Sequence, residues 1–165
     1  MSRSSVRLRI PAAWQFDLLI ESNGLAIVAS TFVPRRAASR ANPTEALLAD
    51  AAEQVRAYFA RRLRRFDLPL DPAGTPFQRD VWGLVARLAF GEFVSYADVA
   101  RGIGRPLSHR GVAAAMRATP LDLFIPAHRV VGSDGRIKGA QAGSLRARLV
   151  AFERAKKKAT HVIVR

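Results

Sequence analysis

Residues 123–138, "LFIPAHRVVGSDGRIK", carry the reading of this chain. An apolar run is stopped by Pro126, a His128-Arg129 pair follows, and then come a valine strand and a Gly-containing turn. That is the composition of a pocket, with apolar walls, a titratable pair and a turn tight enough to bring backbone groups close. At its centre stands Ala127, whose side chain has no chemistry of its own. The surrounding sequence explains why an alanine sits there.

Upstream, Thr75-Pro76 predicts an N-cap with proline at the first helical position. It opens a helix through "FQRDVWGLVARLAF", with Phe77, Val81, Leu84, Val85 and Leu88 inward and Gly91 as its stop. Ser95 caps a short second helix, "SYADVARGIG", ending near Gly102-Ile103-Gly104, and "PLSHRGVAAAMRAT" predicts a third after a tight turn. Two short helices joined in this way form a helix-turn-helix pattern. In the later of them Gly111, Ala113, Ala114 and Ala115 are small, while Arg110 and Arg117 stay long and charged. Small residues permit close approach of a partner's backbone, and an arginine among them reaches a groove or a base stack. The same alanines also serve plain helix packing. A last helical stretch, "SLRARLVAFERAKKK", contains Glu153.

Toward the N-terminus, "FDLLIESNGLAIVASTFV" gives two apolar runs around Ser22-Asn23-Gly24 and predicts a β-hairpin. Residues 43–65 carry Leu47, Leu48, Ala51, Val55, Tyr58, Phe59 and Leu63 at helical spacing, with an arginine-rich outer face read as solvated surface. The Pro/Gly-rich connector "DLPLDPAGTPF" marks a boundary. The expected fold class is α+β: a small N-terminal α/β domain over residues 1–72, then a mainly helical domain over 73–165 ending in a basic tail at Lys156-Lys157-Lys158.

Composition bounds the function. The 165 residues are 49% hydrophobic, enough for a real core. A net charge of +14 suits a polyanionic partner, because Lys and Arg release counterions from phosphates; a solvated surface in an arginine-rich proteome gives the same number. The absence of cysteine excludes disulfides, thiolate metal sites and cysteine nucleophiles. His109, His128 and His161 are the only histidines, none at metal-ligand spacing with another, so neither metal nor cofactor is expected. No apolar run approaches the roughly 18 residues of a membrane span, and the N-terminus lacks the apolar segment of a signal peptide. A cytoplasmic protein without a membrane partner is expected.

"TPFQRDVW", "GEFVSYADVA", "RGVAAAMRATP" and "IPAHRVVGSDGRIKG" resemble, in order and spacing, the consecutive motifs of the O6-alkylguanine-DNA alkyltransferases. The resemblance runs from Thr75 to Glu153 and is loose before that. It implies a ribonuclease H-like N-terminal domain and a C-terminal domain with a winged helix-turn-helix-like motif. It further implies a one-time transfer of an alkyl group from guanine O6 to the cysteine of a Pro-Cys-His-Arg motif, on a base flipped from the duplex. His128 matches the histidine that takes the cysteine proton, Ala127 replaces the cysteine, and Glu153 aligns with the glutamate that orients the histidine once one residue is deleted before Leu145. The chain is then most similar to the alkyltransferase-like proteins, which recognise O6-alkylguanine without repairing it and hand it to nucleotide excision repair.

The resemblance also assigns binding roles. Arg110 matches the arginine that replaces the flipped nucleotide and Tyr96 the tyrosine beside the base; Ala113, Ala114 and Arg117, small or cationic on the same helix as Arg110, are expected to face DNA with it. Met116, Ala127, Val130, Ala140 and Gln141 match pocket positions. Thr119, Asp122, Ala140 and Ala142 depart from family choices, as expected of natural drift rather than of an engineered Cys→Ala change. Small Ala127 and Ala140 predict a roomy pocket that accepts bulky adducts. The expected partner is double-stranded DNA containing O6-alkylguanine, bound by a monomer, with nucleotide excision repair proteins as further partners. The alternatives are a mutant of an active methyltransferase and a general DNA-binding protein on the same scaffold.

Overall fold

The computed structural model describes residues 3–35, 43, 45–138, 141 and 143–155. The basic tail, His161, Ala140 and Ala142 lie outside them. Five α-helices and five short strands are described. The architecture is α+β, with a three-stranded antiparallel sheet in the first half and helices around a two-stranded parallel pair in the second.

The hairpin forms from β2 (Phe16–Ser22) and β3 (Ile27–Pro34). Asn23 closes it: its Oδ1 accepts from the N–H groups of Leu25 and Ala26 at 3.0 and 2.9 Å, and Gly24 adopts φ +91°, which favours glycine. A strand absent from the sequence reading, β1 (Ser4–Arg9), pairs with β2 so that Val6 faces Ile20 and Leu8 faces Leu18. The period-2 alternation of Val6, Leu8 and Ile10 is its signal, interrupted by arginines. Helix α1 (Ala46–Phe59) packs Leu48, Ala51, Ala52, Val55 and Tyr58 into the core.

This helix is shorter than the 43–65 predicted. Its end has a physical cause: Arg61 stands in the left-handed region at φ +57° and carries its guanidinium to the carbonyls of Phe152 and Ala155, at the end of another helix. Leu63 therefore lies beyond α1 rather than on it, although still partly buried.

Helix α2 (Pro76–Val85) starts as expected. Thr75 Oγ1 accepts from Gln78 N–H and Gln78 Oε1 accepts from Thr75 N–H, a complete capping box. It stops before the predicted Gly91, because the backbone beyond it bonds elsewhere. Leu88 O accepts from Arg129, Phe90 N–H donates to Arg64 O and Gly91 N–H donates to Glu153. Helix α3 (Tyr96–Gly102) has a second capping box, Ser95 with Asp98, and ends before Gly104 at φ +73°. Helix α4 (His109–Arg117) follows, and α5 (Leu145–Arg154) is capped by Ser144.

Two long-range pairings position the rest. Strand β4 (Val94–Ser95) lies parallel to β5 (Val130–Val131), which ties the start of α3 to the chain just after His128-Arg129. The free edge of β3 is covered by the connector and the loop before the site: Ile27 pairs with Leu70, and Ser30 with Leu121. One apolar cluster runs from Val6, Leu18 and Val55 through Val81, Trp82 and Phe124 to Leu149, across the predicted boundary.

Candidate functional site

The stretch that opened the reading folds as a 3-10 turn at Ala127–Arg129 running into β5, and all three turn residues are buried. Beneath it lies a polar network closed on Glu153 of α5. His128 Nε2 donates to Glu153 Oε1 at 2.6 Å, and Tyr58 Oη donates to the same oxygen at 2.7 Å. Arg129 donates from Nη2 to Oε1 and from Nε to Oε2, both at 2.9 Å, and Gly91 N–H donates to Oε2 at 2.9 Å. Arg129 Nη1 reaches Leu88 O at 2.6 Å. A buried carboxylate with this many donors is stable as an anion.

The charges sort accordingly. Burial alone would raise the Glu153 carboxyl, but the hydrogen bonds from His128 and Arg129 outweigh it and hold the group well below the usual range. Burial lowers the His128 imidazole, against the opposing hydrogen bond from Glu153. His128 is therefore neutral near pH 7, with its proton on Nε2, and the contact is a hydrogen bond rather than an ion pair. Arg129 supplies the countercharge. Tyr58 is pushed far up by burial first and by Glu153 second, so it stays a donor.

Above this network, α3 and α4 border an open groove of about 580 Å³. Arg110, Ala113 and Arg117 form one stripe of α4 at i, i+3 and i+7 and line it, with Tyr96 opposite and Lys138 and His109 at its rim. None of the groove-lining residues is acidic. Arg110, Arg117 and Lys138 have no hydrogen-bond or ion-pair partner among the described residues, so their charge is directed outward. His109 and Lys138 carry no signal of a binding role in the sequence; three cations, Arg110, Arg117 and Lys138, share one groove only once α4 and the turn after β5 are brought together.

The expected pocket residues are not gathered in one place. Met116, at i+4 from Val112 on the inner face of α4, is in the core and borders neither the groove nor the cavity described next. Val130 is fully buried in β5, Gln141 is exposed, and Ala140 lies outside the described residues; of the residues expected to face DNA, Ala114 is exposed but does not line the groove. Ala127 lines a separate cavity of about 60 Å³ with Phe32, Asp122, His128, Leu145 and Arg146. Phe32 of β3 and Leu145 and Leu149 of α5 contribute its apolar walls.

Comparison with known proteins agrees with this architecture. The family described as "6-O-methylguanine DNA methyltransferase, DNA binding domain" matches residues 76–155. The methylated-DNA–protein-cysteine methyltransferase of Mycolicibacterium paratuberculosis is 39% identical over 131 residues, 79% of this chain and 78% of that protein. The protein of the same name from Methanosarcina barkeri is 43% identical over 94 residues, 57% of this chain; the chain spans only 60% of that relative's length. The O6-methylguanine methyltransferase of Mycobacterium tuberculosis aligns over 96% of both chains at TM-score 0.78 and 28% identity. The same protein in complex with DNA aligns over 92% of this chain and 91% of that one, at TM-score 0.73 and 29% identity. This chain belongs to the O6-methylguanine-DNA methyltransferase family, as a member that contains no cysteine and so cannot carry out the cysteine-dependent transfer for which its relatives are named.

Proposed function

We propose that this protein binds double-stranded DNA carrying O6-alkylguanine, flips the lesion base and holds it without removing the alkyl group. The observation that carries the proposal is chemical: Ala127 occupies the acceptor position of Pro126-Ala127-His128-Arg129, and no thiol exists anywhere in the chain. Transfer from O6 needs a thiolate to take the alkyl carbon as the guanine oxygen leaves. Here the supporting frame of His128, Glu153 and Arg129 is intact while its reactive atom is gone.

The binding side has what the task needs. Helices α3 and α4 act as a helix-turn-helix whose second helix enters the minor groove. Its cationic stripe, Arg110 and Arg117 with Lys138, meets phosphates, and small Ala113 lets the backbones approach. Arg110 fills the gap left by the extruded nucleotide, and Tyr96 supports the base on its way out. With the lesion held and not repaired, the complex marks the site for nucleotide excision repair.

A competition assay tests this. An O6-methylguanine duplex should displace its unmodified twin by about tenfold, a difference of ~1.4 kcal/mol, and Arg110→Ala should reduce that preference to parity. DNA carrying labelled O6-methyl groups should leave the protein unlabelled. Equal affinity of the native protein for both duplexes would sink lesion recognition, and stoichiometric label on the chain would sink the absence of transfer.

A further inference from the structure

The cavity beside Ala127 has a polar end. Its walls are mostly apolar, from Phe32, Ile125, Leu145 and Leu149, but Asp122 and Arg146 also line it. Asp122 Oδ2 accepts a long bond from Phe32 N–H at 3.3 Å, and its other oxygen has no partner among the described residues. Arg146 donates one N–H to Met116 O at 3.4 Å, and its remaining donors have no partner among the described residues. The two side chains form no ion pair with each other. An acceptor and a donor thus share one small cavity, each with hydrogen-bonding capacity unused.

We propose that this cavity receives the O6 substituent of the bound guanine and selects short substituents ending in a hydroxyl, whose O–H donates to Asp122 and whose oxygen accepts from Arg146. The inference rests on the lesion-binding reading above, in which Ala127 stands where the transferred carbon would arrive. A hydroxyl is the simplest end group that both donates and accepts. A purely alkyl end leaves both side chains unpaired as it displaces water from them. A carboxylate end suits Arg146 but faces Asp122, and an ammonium end reverses the conflict.

Size agrees with the chemistry. At roughly 10–15 Å³ for each water-sized group, about 60 Å³ accommodates the three heavy atoms of a hydroxyethyl chain. Burial raises the Asp122 carboxyl, with the Phe32 N–H and the Arg146 charge opposing, as befits an acceptor short of donors.

The test uses duplexes carrying one O6-(2-hydroxyethyl)guanine, one O6-propylguanine, one O6-carboxymethylguanine or unmodified guanine, with affinities read by fluorescence anisotropy. Propyl and hydroxyethyl have the same heavy-atom shape, so only the hydroxyl distinguishes them. Hydroxyethyl should bind about tenfold more tightly than propyl, and carboxymethyl less tightly than hydroxyethyl. Asp122→Leu should bring the hydroxyethyl and propyl affinities within twofold of each other. Arg146→Met, on the rim of α5, should narrow the same gap and provides the second variant if Asp122→Leu fails to fold. Equal hydroxyethyl and propyl affinity in the native protein overturns the inference and leaves lesion binding standing; so does a preference for carboxymethyl. If no modified duplex binds better than unmodified DNA, the lesion reading itself fails and this inference falls with it.

Discussion

Glu153 is the residue on which the interior depends, because it is a buried carboxylate answered by Arg129, His128, Tyr58 and Gly91 N–H together. Removing its charge leaves the fully buried guanidinium of Arg129 without a counter-charge. Glu153→Gln should therefore cost about 3–5 kcal/mol, a fall in Tm on the order of 10 °C. The acid response has a fixed sign. Burial, opposed by the Glu153 bond, holds folded His128 below its ordinary 6.5, so the unfolded chain binds that proton first as pH falls. Glu153 is likewise held below its ordinary 4.5, because the bonds from His128 and Arg129 overcome the effect of burial. Each contribution is present above the unfolded value and lost below it. Stability should start to decline near pH 6.5, by at most about 1.4 kcal/mol per pH unit from His128, and steepen below pH 4.5 as Glu153 joins. Thermal unfolding between pH 4 and 8 reads this directly. His128→Gln should erase the upper phase alone, and a Tm flat from pH 7 to 5 would contradict the assignment.

Two helices begin with the same device and differ in what they carry. Thr75 caps α2, whose Val81, Trp82 and Val85 serve the core, whereas Ser95 caps α3, whose first residue is groove-lining Tyr96. Thr75→Ala should cost ~1 kcal/mol, about 2–4 °C in Tm, with DNA affinity unchanged. Ser95→Ala should cost a similar amount and also weaken DNA binding, since Tyr96 loses its fixed start; equal affinity of the two variants would refute the distinction. These caps were legible in the sequence, as was the Asn23-Gly24 hairpin, because each is decided by residues within four positions of one another. The ends of α1 and α2 were not, for they are set by Arg61 reaching Phe152 and Ala155, and by Arg129 and Glu153 taking Leu88 O and Gly91 N–H. The motif order located His128 and Glu153 as partners, but Tyr58, 95 positions away from Glu153, carried no sign of its role beyond helical spacing. The two-residue pairing of β4 with β5 is likewise too short for any periodic signal.

For the whole molecule, the net charge of +14 exaggerates what the proposed DNA partner would meet. Many arginines are fastened inside the fold. Arg129 is buried on Glu153, and Arg7 donates to Asp17 at 3.0 Å. Arg61 caps α5 with its guanidinium 4.4 Å from the Phe152 ring centroid. Arg148 donates to Ala13 O and Trp14 O at 2.7 and 3.1 Å, 4.9 Å from the Trp14 ring. Even the arginine-rich face expected to be plain solvated surface thus includes a helix-capping group. The cations in the groove are different: Arg110, Arg117 and Lys138 are fixed by nothing among the described residues and share one concave surface. Each phosphate neutralised by such a cation adds about 0.9 to the slope of log K against log salt, whereas a cation already satisfied within the fold adds nothing. Arg110→Ala and Lys138→Ala should each flatten that slope by about 0.9 for an unmodified duplex, measured from 50 to 200 mM salt. Arg61→Ala and Arg148→Ala, which remove the same formal charge, should leave the slope unchanged while lowering Tm, through lost carbonyl bonds and ring contacts. A uniform loss of slope across all four variants would mean that DNA responds to total charge rather than to this groove.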